Sequence, residues 1–316
     1  MSLYLITGGA GFIGSHIATA LVQRGDSVRV LDNLSTGKHE NLGEVAGRVD
    51  FQKGDITDPT AVRQACRGVS AIFHEAAQVS VPQSVKDPFK SYEVNVTGTL
   101  RMLEAAREAG VKRFVFAASS AAYGNSTELP KVETMLPTPL SPYASGKVAG
   151  EHLCQVWGNC HGIRTVALRY FNIFGPRQAD DSPYTGVIAI FAKVLLEGRQ
   201  ATIYGDGEQT RDFTYIDNVV AANLLAVDRD LAPGTIVNVG TGQSISVNKL
   251  YRAVCERLGV ACEPRYEEPR NADVLHSVAS IERARRVLGY EPKIDWRTGL
   301  ATTVDWYKAR FAGSRT

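Results

Sequence analysis

In the run Ser141-Pro142-Tyr143-Ala144-Ser145-Gly146-Lys147 a phenol and an ammonium stand four positions apart. On a helix they share one face, a single turn apart. A free tyrosine has a pKa near ~10, and a cation held close favours the phenolate and lowers that value towards neutrality. Tyr143 is therefore a candidate general base for a substrate hydroxyl, with Lys147 as its electrostatic partner. The same spacing also describes an ordinary solvated helix face, so the neighbouring motifs decide between the two.

The first of these opens the chain. Leu3-Tyr4-Leu5-Ile6-Thr7 reads as a buried strand that runs into Gly8-Gly9-Ala10-Gly11-Phe12-Ile13-Gly14 and then into an apolar-periodic helix. Gly8 permits a tight turn, Gly11 a close backbone approach to a pyrophosphate, and Gly14 close packing of helix on strand, while the helix N-terminus supplies donors. A second strand, Ser27 to Leu31, ends in Asp32, eighteen residues after Gly14. A carboxylate there can accept both ribose hydroxyls and would repel a 2′-phosphate, so NAD is expected over NADP.

Short β-branched strands then alternate with helical patterns: Val49 to Gln52, Ala71 to His74, Arg113 to Ala117 and Thr165 to Leu168, with helices over Tyr92 to Ala109 and Tyr143 to His161. The alternation predicts an α/β fold, a doubly wound parallel Rossmann sheet. Beyond Leu168 glycine- and proline-rich turns mark a smaller, interleaved C-terminal lobe. Residues 1–168 with a return segment at about 212–241 are assigned to the dinucleotide domain, and 169–211 with 242–316 to the substrate lobe. Ligands of such sheets lie at the carboxyl ends of the strands. Ser119 and Ser120 stand there, where a serine can bond a substrate hydroxyl or simply satisfy its own turn. Asn95, a poor helix former inside an apolar helix, reads as a positional residue more than a chemical one.

With 316 residues, 44% of them hydrophobic, the chain can bury a large core. Its net charge of +2 is spread among interspersed charges, and no basic block suits nucleic acid or a membrane surface. The first strand begins at Leu3, which leaves no room for a signal peptide, and no apolar run approaches the ~20 residues of a membrane span. A cytoplasmic protein is expected. Five cysteines form no Cys-x-x-Cys pair and six histidines show no ligand spacing, so reduced thiols and no metal are expected.

Taken together, Thr7 to Gly14, Asp32-Asn33, Asn95, Ser119 to Gly124, Tyr143 to Lys147 and Arg169-Tyr170-Phe171-Asn172 resemble the extended short-chain dehydrogenase/reductase family over nearly the whole chain. Gly205-Asp206-Gly207-Glu208-Gln209-Thr210-Arg211-Asp212-Phe213 and Arg270-Asn271-Ala272-Asp273-Val274 further resemble its nucleotide-sugar members, above all UDP-galactose and UDP-N-acetylglucosamine 4-epimerases. The resemblance implies a cofactor site of Gly8, Gly11, Phe12, Ile13, Gly14, Asp32, Asn33, Asp55, Ile56, Ala76, Ala77, Asn95, Tyr143 and Lys147. It implies a UDP-sugar site of Ser80, Ser119, Ser120, Tyr143, Asn172, Val187, Tyr204, Arg211, Arg270, Asp273 and Ser277, with Arg211, Arg270 and Asn172 on the diphosphate and Asp273 on the uridine ribose. Guanidinium forks suit diphosphate oxygens.

The catalytic set implied is Ser119, Tyr143 and Lys147. Tyr143 takes the proton of the sugar O4 hydroxyl, the C4 hydride passes to NAD, and the 4-keto sugar turns over and recovers the hydride on its other face. The family's 4,6-dehydratases and decarboxylases carry carboxylates just after the serine, where this chain has Ser120 and Ala121. Elimination then lacks its acid, so epimerisation is expected over dehydration or decarboxylation, and another nucleotide-sugar member, a UDP-glucuronate epimerase, dehydratase or decarboxylase, stands as the alternative. A dinucleotide-binding sensor without activity would be expected to lack Tyr143 or Lys147.

Ser277 occupies the position that walls the sugar C2 substituent in the family, and a small residue there implies acceptance of the N-acetylated sugars. Ala272 replaces the usual glycine, and a one-residue slip would put His276 at the wall instead. The two long helices resemble those that form the family's homodimer, with Val96, Leu100, Leu103 and Leu153 as seam candidates that could equally pack on the sheet.

Overall fold

The computed structural model describes residues 2–179, 186–269 and 274–313. Its centre is a seven-stranded parallel sheet. Six strands are β1 (Leu3–Thr7), β2 (Ser27–Asp32), β3 (Val49–Lys53), β4 (Ala71–His74), β5 (Arg113–Ser119) and β6 (Arg164–Tyr170), and the strand Thr235–Val239 completes it. From one edge the order is Thr235–Val239, β6, β5, β4, β1, β2, β3. The order reverses between β1 and β4, which opens a crevice at the carboxyl ends of the strands.

The register delivers the functional residues to that edge together. Thr7 lies opposite both Leu31 and His74, and Ser119 opposite Tyr170. Gly8, Asp32, Glu75, Ser119 and Tyr170 therefore emerge side by side. Every residue of β4 is buried, as a strand covered on both faces requires. His74 bridges the hydroxyls of Thr7 (2.8 Å) and Thr99 (3.1 Å) across the sheet's underside.

Helix α1 (Phe12–Arg24) follows the glycine turn and ends at Gly25, in the left-handed region with φ 92°. The helix Pro142–His161 carries Tyr143 and Lys147. The Ser141 hydroxyl caps it by accepting from the Ala144 N–H, Pro142 stands in its first turn, and Gly162 closes it at φ 70°. It lies tight on the sheet, since a Cβ on Gly150 would fall 2.3 Å from the Phe116 ring. A fully buried bidentate pair, Arg169 to Glu151 at 2.8 Å on each arm, ties this helix to β6.

The helix expected over Tyr92 to Ala109 is three segments: Pro88–Tyr92, a π-helical turn Glu93–Gly98, and Thr99–Glu108. It starts earlier because Asp87 caps Lys90 N–H ahead of Pro88. The π turn is centred on Asn95, whose side chain is engaged elsewhere.

The remaining chain forms smaller units: strand Thr202–Tyr204 beside Arg265–Glu267, strand Thr210–Arg211 beside Ile245–Ser246, and helices Val187–Leu196, Val247–Leu258, Glu282–Leu288 and Trp296–Gly313. Buried Asp212 gathers them by accepting from Thr241 N–H and O–H, Gly242 N–H and Ala279 N–H. Among the described residues no helix is long and apolar enough to cross a membrane, and no cluster of His, Cys, Asp and Glu could hold a metal ion.

Candidate active site

At the switch point lies a cleft of about 1210 Å³. One half is built by the glycine turn. Gly8 adopts φ 67°, and a Cβ there would meet Ala76 N at 2.8 Å. A Cβ on Gly14 would fall 2.4 Å from the Gly8 carbonyl oxygen, so this packing of α1 on its own turn admits only glycine. The α1 N-terminus has no capping side chain and no acid in its first turn, which leaves its N–H groups and dipole facing the cleft for an anion.

Asp32 is held by backbone donors: Oδ2 accepts from Ala10 N–H (2.9 Å) and Oδ1 from Leu34 N–H (2.8 Å). Each oxygen keeps a lone pair for a ribose hydroxyl. Asn33 donates to Asp55 at 2.7 Å, and Thr57 adds two further donors, which together hold the Asp55 carboxyl below its ordinary range against the opposing effect of burial. Asp32, Asn33, Asp55, Ile56, Ala76 and Ala77 line the cleft with Gly8, Gly11, Phe12, Ile13 and Gly14. These parts fit a dinucleotide: a donor-rich helix end for the pyrophosphate and a fixed carboxylate for the ribose.

The other half carries the reactive groups. Ser119, Ser120 and Tyr143 line it. Ser119 accepts from Ala121 N–H at 3.1 Å and stands beside Tyr143 on the wall. The acidic phenol expected from the sequence is not found in this state. Burial pushes Tyr143 above its ordinary value, and the nearby Ser119 hydroxyl offsets this only in part. Lys147 turns its ammonium to the Ala117 carbonyl at 2.7 Å and over the Phe116 ring at 5.0 Å, which explains why its charge does not prevail at the phenol. Burial lowers Lys147 itself to about 8.

Of the other expected substrate residues, Ser80, Asn172, Arg211 and Ser277 line the cleft. Arg211 donates to the Thr210 and Leu275 carbonyls. Ser277 lines the cleft, and its N–H donates to Thr210 O at 3.1 Å, while His276 is exposed and bonded to the Thr210 hydroxyl. Val187 and Tyr204 lie off the cleft wall, in helix Val187–Leu196 and strand Thr202–Tyr204. Arg270 and Asp273 lie outside the described residues.

Asn95 also stays off the wall. Its amide accepts from Gln78 N–H (2.9 Å) and donates to Gln78 O (3.0 Å), so it pins the loop that follows Ala77. Leu103 is fully buried against the sheet, which removes it from any intersubunit seam, while Val96, Leu100 and Leu153 are half-buried.

The sequence reading leaves out further cleft residues, Glu75, Arg177 and Lys131 among them. Glu75 sits directly after β4 at the switch point, a position that was itself the available signal. Arg177, at φ 66°, donates to Thr19 and Ser15 of α1. Lys131 is buried with its ammonium on the Ser126 and Glu128 carbonyls, and no local pattern marks it.

Comparison with known proteins places the chain. The NAD dependent epimerase/dehydratase family matches residues 4–240. A UDP-glucose 4-epimerase of Mycolicibacterium smegmatis is 40% identical over 308 residues, covering 96% of this chain and 98% of the relative. The crystal structure of UDP-glucose 4-epimerase with UDP-glucose from Thermotoga maritima superposes with a TM-score of 0.93 at 38% identity, covering 98% of this chain and 99% of that one. A UDP-N-acetylglucosamine 4-epimerase from Methanobrevibacter ruminantium, in complex with UDP-N-acetylmuramic acid, gives 0.94 at 35% identity with 98% and 99% covered. With the glycine turn, the fixed Asp32 and the Ser119–Tyr143 pair on one cleft, this chain belongs to the NAD-dependent epimerase/dehydratase family, the nucleotide-sugar branch of the extended short-chain dehydrogenases/reductases.

Proposed function

We propose that the protein is an NAD-dependent UDP-hexose 4-epimerase that inverts C4 through a transient 4-keto sugar. The observation that carries this reading is that Ser119 and Tyr143 line the same cleft, with Ser120 and Ala121 where an eliminating enzyme needs an acid. NAD, when bound, supplies a hydride acceptor and then the donor. The chain's part is to orient and to move the proton: Tyr143 takes it from O4, Ser119 holds the hydroxyl, and the same phenol returns it to O4 once the sugar has turned over. Lys147, beside the nicotinamide ribose, carries the positive charge that favours the ionised phenol when substrate and cofactor exclude water. Tight retention of NAD follows, since the cycle needs no outside redox partner.

Arg211 and Asn172 contact the diphosphate, joined by Arg270, with Asp273 on the uridine ribose; Val187 and Tyr204 support the uridine end. Ser277 leaves room for an acetamido group, so UDP-N-acetylglucosamine and UDP-N-acetylgalactosamine are accepted beside UDP-glucose and UDP-galactose. The protein acts in the cytoplasm as a homodimer, through a face where Val85, Phe89 and Val156 are exposed, Phe89 at 89%. Incubation of purified protein with each of the four UDP-hexoses and with UDP-glucuronate tests the reading. Interconversion at C4 without added NAD is expected. Loss of carbon dioxide or water, turnover of the uronate alone, or an unchanged sugar would overturn it.

A further inference from the structure

Asn238 lies one residue before the end of the strand Thr235–Val239 and is fully buried. Both ends of its side-chain amide are engaged with segments far away in the chain. Oδ1 accepts from the Tyr123 hydroxyl at 2.6 Å, and Nδ2 donates to Lys131 O at 2.9 Å and to Ser280 O at 3.4 Å. Carbonyls only accept, so the amide has one workable orientation. The Asn238 N–H adds a bond to Glu133 at 2.8 Å.

These contacts join two sides of the reactive half of the cleft. On one side Tyr123 ends the short turn Ser120–Tyr123 that follows Ser119, and its ring lies 4.7 Å from the Arg169 guanidinium. Burial pushes the Tyr123 hydroxyl above its ordinary value, so it keeps the proton it donates. On the other side Lys131 runs parallel to the strip that begins at Ser277: its N–H donates to Val278 O at 2.8 Å, and its carbonyl accepts from Ser280 N–H at 2.9 Å. Lys131 also folds its ammonium onto the Ser126 and Glu128 carbonyls, which fixes the loop between the two sides. Tyr123, Lys131 and Ser277 all line the cleft. A buried polar node with its donors and acceptors matched specifies one arrangement of the segments it joins.

We infer that Asn238 is a positioning residue that sets the spacing between the Ser119 turn and the Ser277 wall, and with it the room for the substituent on the sugar's second carbon. The inference rests on the 4-epimerase reading for that substituent, while the tether itself does not depend on it. Asp212 holds the same strip through Ala279 N–H and follows Arg211 in the chain. Loosening Asn238 therefore spares the diphosphate contacts and disturbs what lies against the wall.

The test uses the protein as purified. Tyr123→Phe removes one bond of the node and leaves the rest, whereas Asn238→Asp turns an oxygen onto the Lys131 and Ser280 carbonyls. Hydrogen exchange read by mass spectrometry should quicken in both variants over peptides spanning 119–126 and 277–281. KM for UDP-N-acetylglucosamine should rise roughly tenfold, while KM for UDP-glucose and the dissociation constant of UDP stay within about twofold. Unchanged exchange in a folded Tyr123→Phe, or values for UDP, UDP-glucose and the acetylated sugar that move together or not at all, would overturn the inference. If Asn238→Asp fails to fold, Tyr123→Phe decides. A wild-type protein that turns over no UDP-sugar, or no acetylated one, would sink the functional reading, and the exchange measurement would still decide whether Asn238 sets the spacing.

Discussion

Lys147 aims its ammonium at the carbonyl oxygen of Ala117, 2.7 Å away, which ties the cation to β5 two residues before Ser119. The charge is thereby fixed relative to the strand that carries the serine, while the phenol of Tyr143 sits one helical turn away. Replacing Lys147 with Met leaves the Ala117 carbonyl without its donor and the site without its cation. Turnover should fall roughly a hundredfold to ten-thousandfold, and NAD retention should weaken. Steady-state rates alongside melting curves check this, and a loss under tenfold in a folded variant would contradict the assigned role.

Gly14 is the tightest point of the glycine turn. Alanine there would put its methyl 2.4 Å from the Gly8 oxygen and 2.8 Å from Gly9 Cα, so α1 must shift away from the anion it faces. Overpacking of this kind costs roughly 1–3 kcal/mol. Gly14→Ala should melt lower and release less dinucleotide per mole on denaturation, whereas an alanine at exposed Gly47, where nothing lies within 4 Å, should do neither.

Ser277→Tyr places a ring where the wall is now small. Turnover of the two N-acetylated sugars should drop roughly tenfold to two-hundredfold relative to the plain hexoses. Competition between UDP-galactose and UDP-N-acetylgalactosamine in one reaction reads the ratio directly. An unchanged ratio would remove Ser277 from the specificity account.

His74 is held neutral by burial, with its pKa lowered from 6.5 to about 3, and His16 likewise to about 4. In the unfolded chain both bind a proton near ~6.5. As pH falls below that value the unfolded state takes up protons that the native state refuses, so stability declines down to the folded pKa of each. Each histidine contributes a slope of about 1.4 kcal/mol per pH unit in its window, and none above 6.5. Urea unfolding of His74→Gln between pH 4 and 6 should show a shallower slope than wild type, whatever its absolute stability.

The residues legible in the sequence were those whose meaning is local. Gly8, Gly11 and Gly14 with Asp32 announce a strand, a turn and a second strand within one short stretch, and the structure places them on one cleft. Tyr143 and Lys147 announce themselves by helical spacing. What escaped depends on distant partners. Glu75 acquires its character from Tyr170, ninety-five residues on, and from the desolvation that the folded sheet imposes. The direction of the Tyr143 shift was misread for the same reason: spacing shows that Lys147 is near, but only the fold shows it bonded to Ala117. Leu103 fits a helix seam and a core equally by period, and burial settles it for the core.

The Asp212 carboxylate accepts from four donors. One of its oxygens holds Ala279, two residues beyond Ser277, and Asp212 itself follows Arg211 in the chain. The segments that carry Arg211 and Ser277 are thus moored to a single carboxylate. On the proposed 4-epimerase reading, a rearrangement that retunes the pocket for a bulkier sugar must also carry the anion grip with it, so that breadth of substrate and strength of hold are inherited together.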